Sequence, residues 1–269
     1  MLGVGNETEF DLRFRLLDVP VRVHPYFWLS SAMVTWQGEH VALTIVGILC
    51  VFVSVLVHEL GHALVARRYG FPSEITLVFL FGLATTSRMS PERNIKIAAA
   101  GPLAGLALAA IVYVLLLMTT NDPLIFMRDY YDPKVFAVHM MLFFGIFGNV
   151  LNFVPCLPLD GGRITENLFE IFGARLRNRG EIILQISIVS SAIAALRGAW
   201  CLNSGDRLPY IPDAVFDWLP EPHRLILANQ QPDPKGMMIL FGILCAMAIN
   251  NLNKMKQWRY GVVLEIRCH

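Results

Sequence analysis

The stretch VALTIVGILCVFVSVLVHELGHALVARR, Val41 to Arg68, combines two features that rarely occur together. Its first part, Val41 to Val57, is almost entirely apolar and carries no charge. His58, Glu59 and His62 then form the pattern H-E-x-x-H. The apolar run predicts a membrane-spanning helix, whereas H-E-x-x-H is typical of a zinc site that activates water. The stretch therefore predicts hydrolytic chemistry within a membrane.

The composition of the whole chain supports the membrane interpretation. Of its 269 residues, 55% are hydrophobic and 16% are charged, against about 25% charged in soluble domains. We predict an all-α polytopic membrane protein with about six transmembrane helices and a small membrane-associated β-sheet or hairpin near the active site. The predicted spans are Pro25–Trp36, Val41–Ala66, Ile95–Met118, Val135–Val154, Ile182–Leu202 and Gly236–Leu252.

Two connections carry strand patterns. Phe10–Leu16 alternates apolar and polar residues, as a half-buried strand does. Glu74–Ser87 is apolar and β-prone but too short to span as a helix, and we expect Gly82 to mark a bend. At membrane depth, the backbone groups of a strand must be paired or open to water. We therefore expect this second segment to form a sheet edge beside the active site, to which an extended substrate could add.

The distribution of charges and cysteines limits the possible membrane topology and the possible binding partners. Arginine and lysine are concentrated in alternate loops, which by the positive-inside rule places both termini in the cytoplasm. The net charge of +1 gives no field for binding nucleic acid. The five scattered cysteines indicate neither a disulfide framework nor a thiolate zinc site. The N-terminus lacks a basic region and an apolar core, so we expect no cleavable signal peptide.

The spacing of the H-E-x-x-H residues suits metal hydrolysis. On a helix, His58 and His62 lie on one face about one turn apart, and Glu59 can reach a water without binding the metal. The pattern is short enough to occur by chance. However, ionisable groups in a membrane span are costly and are usually functional.

A third ligand is predicted in NFVPCLPLDGG, Asn152 to Gly162. Its two prolines end span four, so Asp160 can turn inward, and we expect Gly161 and Gly162 to supply backbone freedom for that turn. The alternative is an ordinary helix exit with a Pro/Gly turn.

Together, H-E-L-G-H and N-x-x-P-x-x-P-L-D-G-G resemble the site-2 protease family of intramembrane zinc metalloproteases. The resemblance extends from about Arg13 to Gly173, and includes VPVRVHPYF (Val19–Phe27) and AAAGPLAG (Ala98–Gly105). It implies that one Zn²⁺ per chain is held by His58, His62 and Asp160. It also implies that Glu59 is the general base and proton shuttle, and that Asn152 binds the backbone of an unwound substrate.

The resemblance implies an endopeptidase that cuts membrane-spanning proteins in or near their transmembrane segments and releases a cytoplasmic regulator. The implied setting is a prokaryotic inner membrane, with the lipid bilayer and the substrate as partners, no nucleic acid, and an unidentified regulatory membrane partner left open. We expect a single domain, 1–269, composed of an N-terminal strand segment (1–24), the catalytic core (25–173) and the last two spans with a tail (174–269).

Some features depart from the family or stay open. The loop Arg67 to Ile95 is too short for the PDZ domain of many members, and we expect no nucleotide-sensing module in the short tail after Leu252. Gly101 and Gly105 form a G-x-x-x-G pattern, which predicts close helix packing. His139 is interpreted as a packed histidine, and Arg197 as paired or reaching toward the interface. Alternative functions are a zinc-binding transporter and an inactive homologue that acts as a membrane chaperone.

Overall fold

The computed structural model describes residues 7–78, 82–84, 89–119, 131–173, 178–204 and 234–267. The chain divides into two compact units. The first consists of Met1–Met89, Ala99–Val150 and Pro209–Gln231, and the second of Ser90–Ala98, Leu151–Leu208 and Pro232–His269.

Helices dominate the fold, which confirms the predicted class. The helices are α1 (Pro25–Thr35), α2 (Val41–Arg68), α3 (Pro91–Thr119), α4 (Pro133–Leu142), α5 (Asn149–Leu151), α6 (Asp160–Phe172), α7 (Arg179–Ser204) and α8 (Pro234–Arg267). A π-helical segment, Phe143–Gly148, joins α4 to α5 without a break. Within the described residues, five stretches are long and apolar enough to cross a membrane: Val41–Arg68, Pro91–Thr119, Pro133–Leu151, Arg179–Ser204 and Pro234–Lys256.

The outer surfaces of these helices are apolar. On α2, four large side chains spaced four residues apart are 38–61% exposed, and they are Val41, Ile45, Leu49 and Val53. A stripe of this kind is costly in water but suited to lipid. The chain is therefore an integral membrane protein.

A four-stranded sheet lies in the first unit. Its order is β1 (Leu12–Leu16), β2 (Val19–Val23), β3 (Ile75–Leu77) and β4 (Gly82–Ala84). β2 and β3 are parallel, and the two outer pairs are antiparallel. Both predicted strand segments are thus confirmed, although residues 79–81 and 85–88 lie outside the described residues. Gly82 does not mark a bend but begins β4, and β3 is interior, so that β4 forms the edge.

The first predicted span differs from a simple helix. α1 has 11 residues, or ~16 Å, about half of the ~30 Å of a bilayer's hydrocarbon core. The preceding Val19–Val23 forms a strand because its valines alternate, are β-branched and are buried on one face. Together, β2 and α1 run antiparallel to α2. The Leu17 carbonyl accepts from Arg67 Nη1 at 2.9 Å, and Thr35 Oγ1 lies 3.4 Å from the Thr44 carbonyl oxygen.

The strand–helix segment of β2 and α1 runs alongside residues 44–67 of α2. This part of α2 is ~35 Å long at 1.5 Å per residue. The strand–helix segment is therefore long enough to replace a first spanning helix. Its strand is paired on both sides, by β1 and β3, so the backbone groups of β2 can lie at membrane depth without water.

Candidate metal centre

The H-E-x-x-H residues lie on α2, with His58 about 15 Å and His62 about 9 Å from the helix end at Arg68, at 1.5 Å per residue. The ligand atoms of His58, Glu59 and His62 all lie within 4.8 Å of one another. The Nε2 atoms of the two histidines face each other at 3.0 Å. Glu59 and His62 are 5% and 4% exposed. The local helix geometry therefore places all three groups together, as the sequence predicts.

This arrangement fits a zinc ion. Two nitrogens that bind a tetrahedral zinc at 2.0–2.1 Å are separated by roughly 3.3 Å, close to the observed 3.0 Å. Imidazole nitrogens with a neighbouring carboxylate also match the ligand chemistry of hydrolytic zinc sites. Buried in the first unit, the group is thus suited to hold a metal.

The second nitrogen of His58 contacts a residue that the sequence analysis did not single out. Asn149 Oδ1 lies 2.8 Å from His58 Nδ1, and Asn149 Nδ2 donates to the carbonyls of Phe144 and Gly145 at 3.3 and 2.8 Å. Asn149 is 3% exposed. A sequence signal was present, because Asn149 is an amide within an apolar span, and such groups are usually functional.

The G-x-x-x-G pair of α3 faces this centre. A Cβ atom on Gly101 would overlap the His62 imidazole, and one on Gly105 would overlap the Asn149 amide. On α2, a Cβ on Gly61 would lie 2.5 Å from the Ala100 carbonyl oxygen. The predicted close packing therefore occurs, and the two α3 glycines also leave room for side chains of the centre.

The segment with Asp160 belongs to the second unit and is described by itself. The helix of span four ends at Leu151, ahead of both prolines. Asp160 is the first residue of α6 and is 6% exposed. α7 holds the turn before it: Leu157 N donates to Ser187 Oγ at 3.1 Å, and Ser190 Oγ donates to the Pro155 carbonyl at 3.0 Å. Binding of a metal by Asp160 stays a prediction.

The two glycines after Asp160 have a different role from the expected one. Both lie within α6, where backbone freedom is not needed. A Cβ on Gly161 would overlap the carbonyls of residues 153 and 154, and one on Gly162 would lie 2.5 Å from Leu157 N. Because they lack a side chain, the two glycines allow the start of α6 to pack closely against the backbone of residues 153–157. Asn152 lies in the same turn, where its carbonyl accepts from Gly161 N at 2.5 Å, and the role of its side chain stays a prediction.

Three further side chains that carry polar or ligating atoms are His139, Cys156 and Arg197. His139 is 7% exposed on α4, as a packed histidine would be. Cys156 is fully buried. Arg197 is exposed on α7, seven residues before the helix ends at Ser204, a distance of ~10 Å. A long side chain there can reach toward the membrane surface.

The chain is similar in sequence to known zinc metalloproteases. Residues 46–137 match the model of peptidase family M50. A zinc metalloprotease of Methanocaldococcus jannaschii is 31% identical over 156 residues, which cover 56% of this chain and 43% of that protein. A putative zinc metalloprotease of Synechocystis is 30% identical over 186 residues, covering 62% and 46%. Stage IV sporulation protein FB of Bacillus subtilis is 26% identical over 195 residues, covering 69% and 59%.

The fold also has a solved counterpart. The site-2 protease from Methanocaldococcus jannaschii superposes with a TM-score of 0.51 at 21% sequence identity, covering 88% of this chain and 95% of that one. The chain spans less than half of the length of the first two relatives. The matches confirm the resemblance to the site-2 proteases, and the group formed by His58, Glu59 and His62 could hold a metal ion.

Proposed function

Because residues 46–137 match the model of peptidase family M50, we propose that this chain is a member of that family and an intramembrane zinc metalloendopeptidase. It hydrolyses peptide bonds in or near the transmembrane segment of membrane-bound proteins and releases a cytoplasmic regulator. The observation that carries the proposal is the placement of His58, Glu59 and His62 as one buried group on a helix of membrane-spanning length. A group that activates water at this depth is suited to hydrolyse a peptide bond that itself lies within the membrane.

Each residue of the centre has a distinct role. His58 and His62 would hold the zinc ion through their Nε2 atoms, and Asp160, the first residue of α6, would supply the third ligand. Bound zinc supplies the Lewis acidity that activates water and polarises a carbonyl group. The Glu59 carboxylate accepts the proton of the attacking water and delivers it to the leaving amine. Asn152 binds the backbone of the substrate.

The substrate must be unwound before cleavage, because the carbonyls in a helix are hydrogen-bonded and shielded. β4 is the edge strand beside β3, and an extended substrate segment can pair with it. The sheet packs on α2, since the core that unites β2 and β3 includes Leu56 and Ala63, which flank the metal-binding turn. An added strand would therefore lie at the depth of the centre.

The chain acts as a single domain with both termini in the cytoplasm of a prokaryotic cell. If β2 and α1 are counted as one crossing, the described chain crosses the membrane six times, which leaves both ends on the same side. That orientation also satisfies the positive-inside rule.

The test is Glu59→Gln, assayed with a co-expressed membrane-anchored reporter substrate. We expect zinc content to stay near one ion per chain, since Glu59 is not a ligand, while cleavage falls by at least ~10²-fold. Glu74→Gln, at a carboxylate outside the centre, serves as the control and should cleave normally. Continued cleavage by the Glu59 variant would contradict the proposal. If neither the wild type nor the Glu59→Gln variant cut the reporter, and the variant lost zinc transport that the wild type shows, the result would instead favour a transporter.

A further inference from the structure

We propose that Asn149 is a positioning residue for the zinc ligand His58, and that Gly105 provides the space that Asn149 occupies. The inference rests on the proposed zinc site and extends it to a residue outside the H-E-x-x-H and L-D-G-G motifs. Asn149 lies 91 positions from His58 in the sequence, yet the two side chains are joined by a hydrogen bond of 2.8 Å.

The orientation of the Asn149 amide follows from its other contacts. One side of the amide faces the carbonyl oxygens of Phe144 and Gly145. Carbonyl oxygens only accept hydrogen bonds, so the group that faces them must be the donor, Nδ2. Oδ1 is therefore the atom that faces His58. Because Oδ1 also only accepts, the hydrogen of this bond must be on Nδ1 of the imidazole.

This hydrogen bond selects one form of the histidine. A neutral imidazole with its hydrogen on Nδ1 has its lone pair on Nε2. Nε2 is the atom of His58 that faces His62 Nε2 at 3.0 Å. Asn149 thus directs the metal-binding lone pair toward the partner ligand and holds the ring at the correct angle, which is how residues behind a ligand tune metal affinity.

The π-helical segment makes this arrangement possible. Phe143–Gly148 widens the helix just before Asn149, and segments of this type are frequent at functional sites. Two of its carbonyls, on Phe144 and Gly145, accept from the Asn149 side chain. An amide that is 3% exposed is costly at membrane depth unless it is satisfied, and here both its donor and its acceptor atoms are used.

α3 supplies the remaining constraint through Gly105. A Cβ atom at this position would overlap three atoms of the Asn149 amide, Nδ2, Oδ1 and Cγ. Even alanine would therefore displace the amide from His58. By contrast, a Cβ on Gly148, the residue before Asn149, would meet no atom within 4 Å. Gly148 offers a matched control in the same segment.

The test is a double-mutant cycle on the zinc dissociation constant, measured on the full chain in detergent by competition with a chelator. We expect Asn149→Ala to raise this constant ~10–100-fold. Gly105→Ala should raise it by a similar factor, because the added methyl group pushes the amide away. In the Asn149→Ala background, where the space is vacated, Gly105→Ala should change it less than about twofold. Gly148→Ala should have no effect.

Additive effects of the two substitutions would overturn the inference, since Gly105 would then act without Asn149. A wild type that binds zinc, with an Asn149→Ala variant that binds it equally well, would also overturn it. A wild type without zinc affinity would overturn the proposed function as well, so the two failures are distinguishable.

A second measurement needs no variant of Asn149 or Gly105. Nitrogen-15 NMR of the zinc-free wild type, with the His58 signals assigned by comparison with His58→Phe, reports which ring nitrogen carries the hydrogen. We expect Nδ1. A hydrogen on Nε2 would overturn the inference even if the variants fail to fold, whereas a purely structural role for Asn149 would not fix this hydrogen.

Discussion

Gly101→Ala provides a direct test of how tightly α3 encloses the metal centre. The added Cβ would lie 2.7 Å from Cδ2 of the His62 ring, and closer still to Nε2 and Cε1. Carbon atoms in contact are ~3.5–4.0 Å apart, so the ring must withdraw by about 1 Å or more. Metal–ligand distances tolerate only ~0.2 Å. His62 therefore cannot remain a ligand in its present position.

The expected magnitude follows from this displacement. Mutation of a residue that hydrogen-bonds to a metal ligand weakens metal binding ~10–100-fold. In Gly101→Ala the ligand His62 itself must move. We therefore expect the zinc dissociation constant to rise at least ~100-fold. With zinc at 1,000 times the wild-type constant, the ion stabilises the wild type by ~4.1 kcal/mol and the variant by only ~1.4 kcal/mol. Helix propensity works in the opposite direction, since alanine favours a helix over glycine by ~1 kcal/mol.

The assay is thermal unfolding in detergent with and without zinc, alongside chelator competition. The zinc-dependent part of the stability should fall by ~2.7 kcal/mol, while the zinc-free protein changes by no more than about the propensity term of ~1 kcal/mol. Gly242→Ala is the control, because a Cβ there would meet no atom within 4 Å. If Gly101→Ala bound zinc within about threefold of the wild type, the His62 position and the steric reasoning would both be refuted.

Two further predictions concern the segments around the centre. Ser187→Ala leaves the partly buried Leu157 N–H without its acceptor and should lower the free energy of unfolding by ~0.5–1.5 kcal/mol, as measured by thermal or denaturant unfolding. An unchanged stability would contradict the role of α7 in holding the turn before Asp160. The Leu77 carbonyl accepts from His24 on the β2 side, so Thr76 and Leu83 bond to each other, and the N–H of Ala84 faces the free edge of β4. Ala84→Pro removes that donor and should abolish reporter cleavage while zinc content is retained, with Ala84→Ser as the control. Full cleavage by the proline variant would contradict substrate pairing at β4.

Local features of this protein could be predicted from the sequence. The helix of α2 follows from its apolar run, and the proximity of His58 and His62 follows from their spacing of four. The hairpins follow from alternation and β-propensity. The α6 helix after Asp160 was not anticipated, because the L-D-G-G stretch carries two glycines, which usually weaken a helix.

The contacts between elements could not be predicted in the same way. Asn149 meets His58 only because the π-helical segment and α2 pack side by side, and spacing within one element carries no signal for such a contact. For the same reason, G-x-x-x-G predicts that a neighbour comes close but not that the neighbours are His62 and Asn149. The single sequence clue was the presence of polar side chains in apolar spans.

The first crossing links the fold to the chemistry. A plain helix in place of β2 would have satisfied its own backbone and left β3 and β4 as an isolated hairpin, which is marginally stable at best. As a strand, β2 instead pairs with β3 and brings the sheet into the core shared with α2, beside Leu56 and Ala63. A strand edge at the depth of His58 therefore depends on the first crossing being only half helical. The short α1 helix is then a requirement of the sheet beside His58, because a longer one would remove the strand that pairs with β3.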